Sequence, residues 1–149
     1  MIDVLLAEDN QSDAELIAES LATYHLTERM HVTRDGEEAL DFLFSRGAYV
    51  GRSTPSSLRL ILLDLKLPKI GGLNVLREIR SAATTRHLPV VVLTSSRIES
   101  DVDQSYQMGA NSYVQKPVDF LEFRRVVQQI GSYWLTINEP PPARAREDR

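Results

Sequence analysis

Four short strand-like runs each end in a group able to do chemistry. Ile2–Ala7 (IDVLLA) ends in Glu8 and Asp9, Leu60–Leu63 (LILL) in Asp64, Pro89–Leu93 (PVVVL) in Thr94, and Ser112–Gln115 (SYVQ) in Lys116. Clustered carboxylates repel one another unless something positive joins them. A hard divalent cation with oxygen ligands suits them, and Mg²⁺ typically takes one or two carboxylates plus waters and phosphate oxygens. Lys116 adds a mobile positive charge that can pair with Asp64 or with an incoming phosphoryl oxygen, and Thr94 offers that oxygen a hydroxyl donor. Cation, acid, hydroxyl and ammonium together make a phosphoryl-transfer site, in which positioning and charge neutralisation supply most of the catalysis and a carboxylate can be the nucleophile.

These residues can meet only if the runs lie side by side. Leu60–Leu63 reads as a strand buried on both faces, as at the centre of a parallel sheet. A lone ionised carboxylate cannot be buried there cheaply, so Asp64 must lie where the strand emerges. Pro68 and then Gly71-Gly72 read as a loop and turn into a helix. Met30–Thr33 is a weaker strand candidate. Helices are expected over about Gln11–Tyr24, with Ala14, Ile17, Ala18 and Leu21 on one face and Ser12 with Glu15 as a capping box. A second opens at Asp35-Gly36 with Ala39, Leu40 and Leu43 inward, and a third spans about Gly72–Ala82 around Val75, Leu76 and Ile79. The fourth, about Glu99–Met108, has few large apolar residues and should be loosely held. The last carries the stripe Phe120, Phe123, Val127, Ile130, Trp134. Strands alternating with helices argue a parallel sheet with right-handed crossovers, whose strand ends converge on one face.

Gly47–Ser57 is rich in Gly, Ser, Thr and Pro and reads as a loop of unusual length. Residues 1–138 are expected to form one domain. Residues 139–149, which include Pro140-Pro141-Pro142, are expected to be a disordered tail. The 149 residues are 42% hydrophobic and 26% charged, ordinary for a globular domain large enough for a real core. A net charge of −4 gives no footprint for nucleic acid or an anionic membrane. The absence of cysteine excludes disulfides and thiolate metal sites. His25, His31 and His87 lack metal-ligand spacing and read as structural or exposed. Apolar runs too short to span a bilayer, and no basic region before an apolar one at the amino terminus, point to a cytoplasmic protein.

In order and spacing, LLAEDN (Leu5–Asn10), LILLDLKLP (Leu60–Pro68) with GG after it, VVVLTSS (Val90–Ser96) and GANSYVQKP (Gly109–Pro117) resemble response-regulator receiver domains, the phosphoacceptor modules of two-component signalling. The resemblance covers about Met1–Tyr133. It implies the α/β, flavodoxin-like receiver fold: a doubly wound five-stranded parallel sheet of order 2-1-3-4-5 with five helices. It also implies Asp64 as the phosphorylated aspartate, with Glu8, Asp9, Asp64 and the backbone carbonyl of Lys66 as ligands of Mg²⁺. Thr94 would be the switch hydroxyl, Lys116 the phosphoryl-binding lysine, and Tyr113 the aromatic that turns inward on activation. Pro117 would follow a cis peptide bond. The long loop, the short tail and Ser132-Tyr133-Trp134 are similar to stand-alone regulators paired with bacterial phytochrome histidine kinases, which would make such a kinase the phosphoryl donor. The downstream partner is not named by these residues.

Other readings compete. Asp64 and Lys116 could be a strand-end ion pair, Glu8 and Asp9 could serve the helix dipole, and Tyr113 could be a core tyrosine. A Mg²⁺-dependent aspartyl-phosphate phosphatase on a related fold usually wants an acid two residues beyond the nucleophile, where this chain has Lys66. A receiver-like adaptor working without phosphorylation is the third possibility, against which the complete site argues. Tyr133 and Trp134, with Leu135 and Ile137, follow a helix whose inward stripe is complete by about Ile130. They are candidates for a homodimer interface built on the fourth helix, fifth strand and last helix.

Overall fold

Runs of branched and long apolar residues bury best where a sheet is covered on both sides, and three such runs fill the centre of this one. In the computed structural model, which describes residues 2–22, 29–52 and 57–141, β1 (Val4–Ala7), β3 (Leu60–Leu63) and β4 (Val90–Thr94) are buried at every position. The half-buried β2 (Met30–Thr33) and β5 (Ser112–Gln115) form the two edges. The sheet order is β2-β1-β3-β4-β5 and every pairing is parallel. In register, Ala7 faces Leu63 and Leu63 faces Val92, so β1, β3 and β4 end nearly level.

Alternation along the strands divides the core in two. Leu5, Ala7, Ile61 and Leu63 point toward α2 (Gly36–Phe44) and α3 (Gly72–Ser81), which contribute Leu40, Leu43, Leu76 and Ile79. Val4, Leu6, Leu60, Leu62 and Val91 point toward α1 (Gln11–Leu21) and α5 (Phe120–Ser132), which contribute Ile17, Leu21, Phe123, Val127 and Ile130. Each such side chain, fully buried, contributes about 1.5–3 kcal/mol of transfer free energy. α4 (Glu99–Gln107) buries only Ser105 of its own residues, in keeping with its polar sequence.

Local details differ from expectation for identifiable reasons. The cap of α1 is Asn10, whose side chain accepts from the Asp13 N–H at 2.9 Å, and not Ser12 with Glu15. The helix therefore begins sooner after the strand. It is described to Leu21, and the expected extension to Tyr24, like His25, lies outside the described residues. The left-handed residue of the loop after β3 is Lys69 (φ 67°), not a glycine. Gly72 is required for close approach instead: a Cβ there would stand 2.3 Å from the Asp64 carbonyl oxygen. Gly36 answers the same need, since its Cβ would stand 1.8 Å from the Ile70 carbonyl oxygen. These two glycines let the loop that follows Asp64 settle between α2 and α3.

The connection after α2 is anchored by a 3-10 turn at Gly47–Tyr49. Tyr49 is buried, with its ring edge-on to those of His31 and Phe42, and the His31 and Phe42 rings stack at 4.4 Å. Residues 53–56 of that connection lie outside the described residues, as do 142–149 of the expected tail.

At the other end of the chain, Phe120 is 59% exposed, so the inward stripe of α5 starts at Phe123. The helix continues as a π-helical turn, Tyr133–Ile137. This extra turn buries Leu135 and packs Trp134 partly against the α1–α5 core, leaving Tyr133 and Ile137 exposed. Part of the cluster assigned to a dimer interface is thus covered by the chain itself. Among the described residues every peptide bond is trans, including the one before Pro117, which corrects the expected cis bond. Trans is the lower-energy isomer of an X–Pro bond by about 0.5–1 kcal/mol. No described helix is long and apolar enough to cross a membrane.

Candidate functional site

The level ends of the central strands bring the expected residues together. Glu8 follows β1, Asp64 follows β3, Thr94 closes β4 and Lys116 follows β5; all four are buried, while Asp9 is exposed. The Asp64 N–H donates to the Ala7 carbonyl at 3.1 Å, continuing the sheet ladder by one residue and fixing where the carboxylate leaves it. Likewise the Lys116 N–H donates to the Thr94 carbonyl at 2.8 Å, which carries the lysine past the sheet's end.

The two oxygens of Asp64 have different partners. Oδ1 accepts from Thr94 Oγ1 at 2.8 Å and from the Lys66 N–H at 3.1 Å. Oδ2 meets Lys116 Nζ at 2.7 Å. The same ammonium lies 2.6 Å from Glu8 Oε1 and 2.9 Å from Asp13 Oδ2. Glu8 Oε2 accepts from the Asn10 N–H at 3.1 Å. Burial, aided by the charge of Asp64, pushes the Glu8 carboxyl up to about 7 despite Lys116. Burial also acts to raise Asp64, but the Lys116 ammonium, the Lys66 N–H and the Thr94 hydroxyl outweigh it and hold the carboxyl below the usual aspartate range. Burial works against the Lys116 charge, and its carboxylate partners overcome this and raise its pKa. Asp64 is therefore an ionised carboxylate in a nearly dry site, a state that persists only because it is paired.

Glu8, Asp9 and Asp64 each place a carboxylate oxygen within 4.8 Å of the others. Among the described residues, no hydrogen bond engages the Asp9 carboxylate. An all-oxygen set with one exposed, uncommitted acid fits a hard divalent cation that keeps part of its water shell. Lys66 lies alongside, its N–H on Asp64 and its ammonium 3.4 Å from Ser95 Oγ.

Tyr113, half-buried on the edge strand, donates its hydroxyl to the Ser96 carbonyl at 3.0 Å, and burial raises its pKa. It thereby touches the loop between Thr94 and α4. Sequence reasoning missed Ser96, whose hydroxyl bonds Asp101 at 2.6 Å and pins the start of α4. It also missed Asp13, the third partner of Lys116. An acid in the first turn of a helix that leaves a site-forming strand end was the available signal. Tyr133 and Trp134 are not part of this site. They lie at the far end of α5, about 20 Å along a helix of this length.

The chain belongs to the response regulator receiver domain family, whose model matches residues 4–128. Among curated relatives it is 42% identical to the probable methanogenesis regulatory protein FilR2 of Methanothrix harundinacea, over 93% of this chain and 86% of that one. It is 39% identical to the response regulator Rcp1 of Synechocystis, over 94% and 93%. A crystal structure of Rcp1 in its Mn²⁺-bound form superposes with a TM-score of 0.87 at 38% identity, covering 95% of this chain and 100% of that one. The phosphorylated cyanobacterial phytochrome response regulator RcpA superposes equally well, with a TM-score of 0.87 at 38% identity over 95% and 99%.

Proposed function

We propose that this protein is a phosphoacceptor switch in which Asp64 takes a phosphoryl group from a histidine kinase of the phytochrome type, in a Mg²⁺-dependent reaction. The observation that carries the reading is the division of labour on Asp64: Lys116 on one oxygen at 2.7 Å, Thr94 on the other at 2.8 Å. An ionised carboxylate oxygen forms a bond to phosphorus as the phosphorus–nitrogen bond of a phosphohistidine breaks. The electron pair of that bond stays on the imidazole, and the product is an acyl phosphate. Lys116 neutralises negative charge on the transferring group. Thr94 then turns from the carboxylate to a phosphoryl oxygen and draws its loop inward, where Tyr113 follows the space that opens. Glu8, Asp9 and Asp64, with the backbone carbonyl of Lys66, would hold Mg²⁺, which when bound adds charge neutralisation for the phosphoryl oxygens.

RcpA, a phosphorylated cyanobacterial phytochrome response regulator, and the response regulator Rcp1, crystallised in a Mn²⁺-bound form, support the donor and the cation by similarity. FilR2 is described as a regulator of methanogenesis, so the family reaches other outputs at comparable identity. The working form is proposed to be a homodimer built on α4, β5 and α5, with Tyr133 and Trp134 at its interface.

The phosphatase reading needs an acid where Lys66 stands, and the Lys66 ammonium reaches Ser95 instead. Incubation with p-nitrophenyl phosphate and Mg²⁺ separates the two. A phosphoacceptor releases nitrophenol no faster than its own acyl phosphate hydrolyses, since its covalent intermediate is the product. Sustained turnover much faster than the loss of label from the isolated phosphorylated protein would replace this function with the enzymatic one.

A further inference from the structure

An ammonium group has three N–H donors, and all those of Lys116 are taken, by Asp64 at 2.7 Å, Glu8 at 2.6 Å and Asp13 at 2.9 Å. The three carboxylates are not equivalent. Glu8 and Asp64 belong to the acid trio that fits a divalent cation, and Asp13 does not. Glu8 and Asp64 lie at strand ends in the dry part of the site. Asp13 stands in the first turn of α1, with its side chain 29% exposed. Its backbone is fixed twice over: its N–H donates to the Asn10 cap at 2.9 Å, and its neighbours Ala14, Leu16 and Ile17 are buried in the core.

We propose that Asp13 is a positioning residue for Lys116, the one carboxylate partner that keeps the ammonium in place when Glu8 and Asp64 are engaged by a cation and a phosphoryl group. The inference rests on the phosphoacceptor reading above. To bond a phosphoryl oxygen, Lys116 must release a donor. A cation shared by Glu8, Asp9 and Asp64 competes for the carboxylate oxygens that the ammonium holds. Asp13, anchored by helix and cap, retains the ammonium on the α1 side of Asp64 and weakens its grip on the other two acids. Without Asp13 the full ammonium charge falls on Glu8 and Asp64. It then opposes the cation and is itself no longer aimed.

The test is a double-mutant cycle of Asp13→Ala and Lys116→Ala, with Asp13→Asn as a milder variant that keeps a side-chain oxygen acceptor at the same place. Two readouts are used: Mg²⁺ affinity of the unphosphorylated protein by calorimetry, and the rate of labelling by acetyl phosphate. In the Lys116 background, Asp13→Ala is expected to weaken Mg²⁺ binding and slow labelling by roughly tenfold, the size that one charge-assisted hydrogen bond supports. Asp13→Asn should recover part of both. In the Lys116→Ala background the same change should alter Mg²⁺ affinity by less than about twofold, within the scatter of independent sites. Equal losses of Mg²⁺ affinity in both backgrounds, or no loss in either, overturn the proposal. If wild-type protein is not labelled at all while the Mg²⁺ cycle remains non-additive, the phosphoacceptor reading fails and the positioning of Lys116 by Asp13 stands.

Discussion

Thr94 Oγ1 lies 2.8 Å from Asp64 Oδ1, a direct bond between the last residue of β4 and the first residue after β3. Both groups are buried, so neither can exchange its partner for bulk water without cost. On the proposed function Thr94 is a two-position device: on the carboxylate in this arrangement, on a phosphoryl oxygen after transfer. Tyr113 is linked to the same loop through the Ser96 carbonyl at 3.0 Å.

Thr94→Val keeps the shape and removes the hydroxyl. It should leave Asp64 able to accept a phosphoryl group while uncoupling the loop from it. With beryllofluoride and Mg²⁺, amide exchange across residues 94–113 should change in wild-type protein and stay flat in the variant. The variant should also be destabilised by about 1–3 kcal/mol, the penalty for leaving a buried charged acceptor short of a donor. An identical exchange response in the two proteins contradicts the role given to Thr94.

His31 offers a pH test of the anchor under β2. Its Nε2 is 2.7 Å from the Tyr49 hydroxyl, which donates to Glu38 at 3.0 Å, so the neutral ring is the donor to Tyr49. Burial holds the imidazole below its ordinary 6.5, with Arg52 adding to this and Glu38 opposing it. The unfolded chain therefore takes up the proton first as pH falls. The stabilisation is fully present above 6.5 and is lost as pH drops from there through the lower folded value. Urea midpoints measured from about pH 8 to about pH 5 should decline more steeply for wild type than for His31→Phe, which cannot titrate. Parallel declines would mean that His31 takes no part.

Much of this architecture was legible because its signals are local. Val90–Leu93 and Leu60–Leu63 are short apolar runs that suit strands covered on both faces, and an acid such as Asp64 is costly anywhere but where such a strand stops. The convergence of Glu8, Asp64, Thr94 and Lys116 followed from the topology alone. What escaped notice depends on packing between elements. Asn10 displaces Ser12 as the cap because α1 starts three residues beyond Glu8. Asp13 matters only because Lys116 arrives from 103 residues away. Tyr49 looked like part of an open loop, and three-way contact with His31 and Phe42 makes it core. Phe120 shared the period of α5 but sits in its first turn, beyond the cover of the sheet, and remains in water.

The proposed dimer can be judged by mass. Tyr133 and Ile137 are exposed, as are Val118, Phe120 and Leu121 at the other end of α5. Leu135 is buried and Trp134 partly so, which lowers the apolar area left for a partner. Light scattering over a dilution series should show a dimer that dissociates on dilution, and Tyr133→Ala with Trp134→Ala should shift it to monomer. A monomer at every concentration, with and without beryllofluoride, contradicts the dimer.

The role of Asp64 is tested most directly by intact mass after incubation with acetyl phosphate and Mg²⁺. Asp64→Asn preserves the shape of the side chain and removes the nucleophilic carboxylate. Wild-type protein is predicted to gain a single phosphoryl mass that is lost on withdrawal of the donor, and Asp64→Asn to gain none. Full labelling of Asp64→Asn, or no labelling of folded wild-type protein, would contradict the assignment.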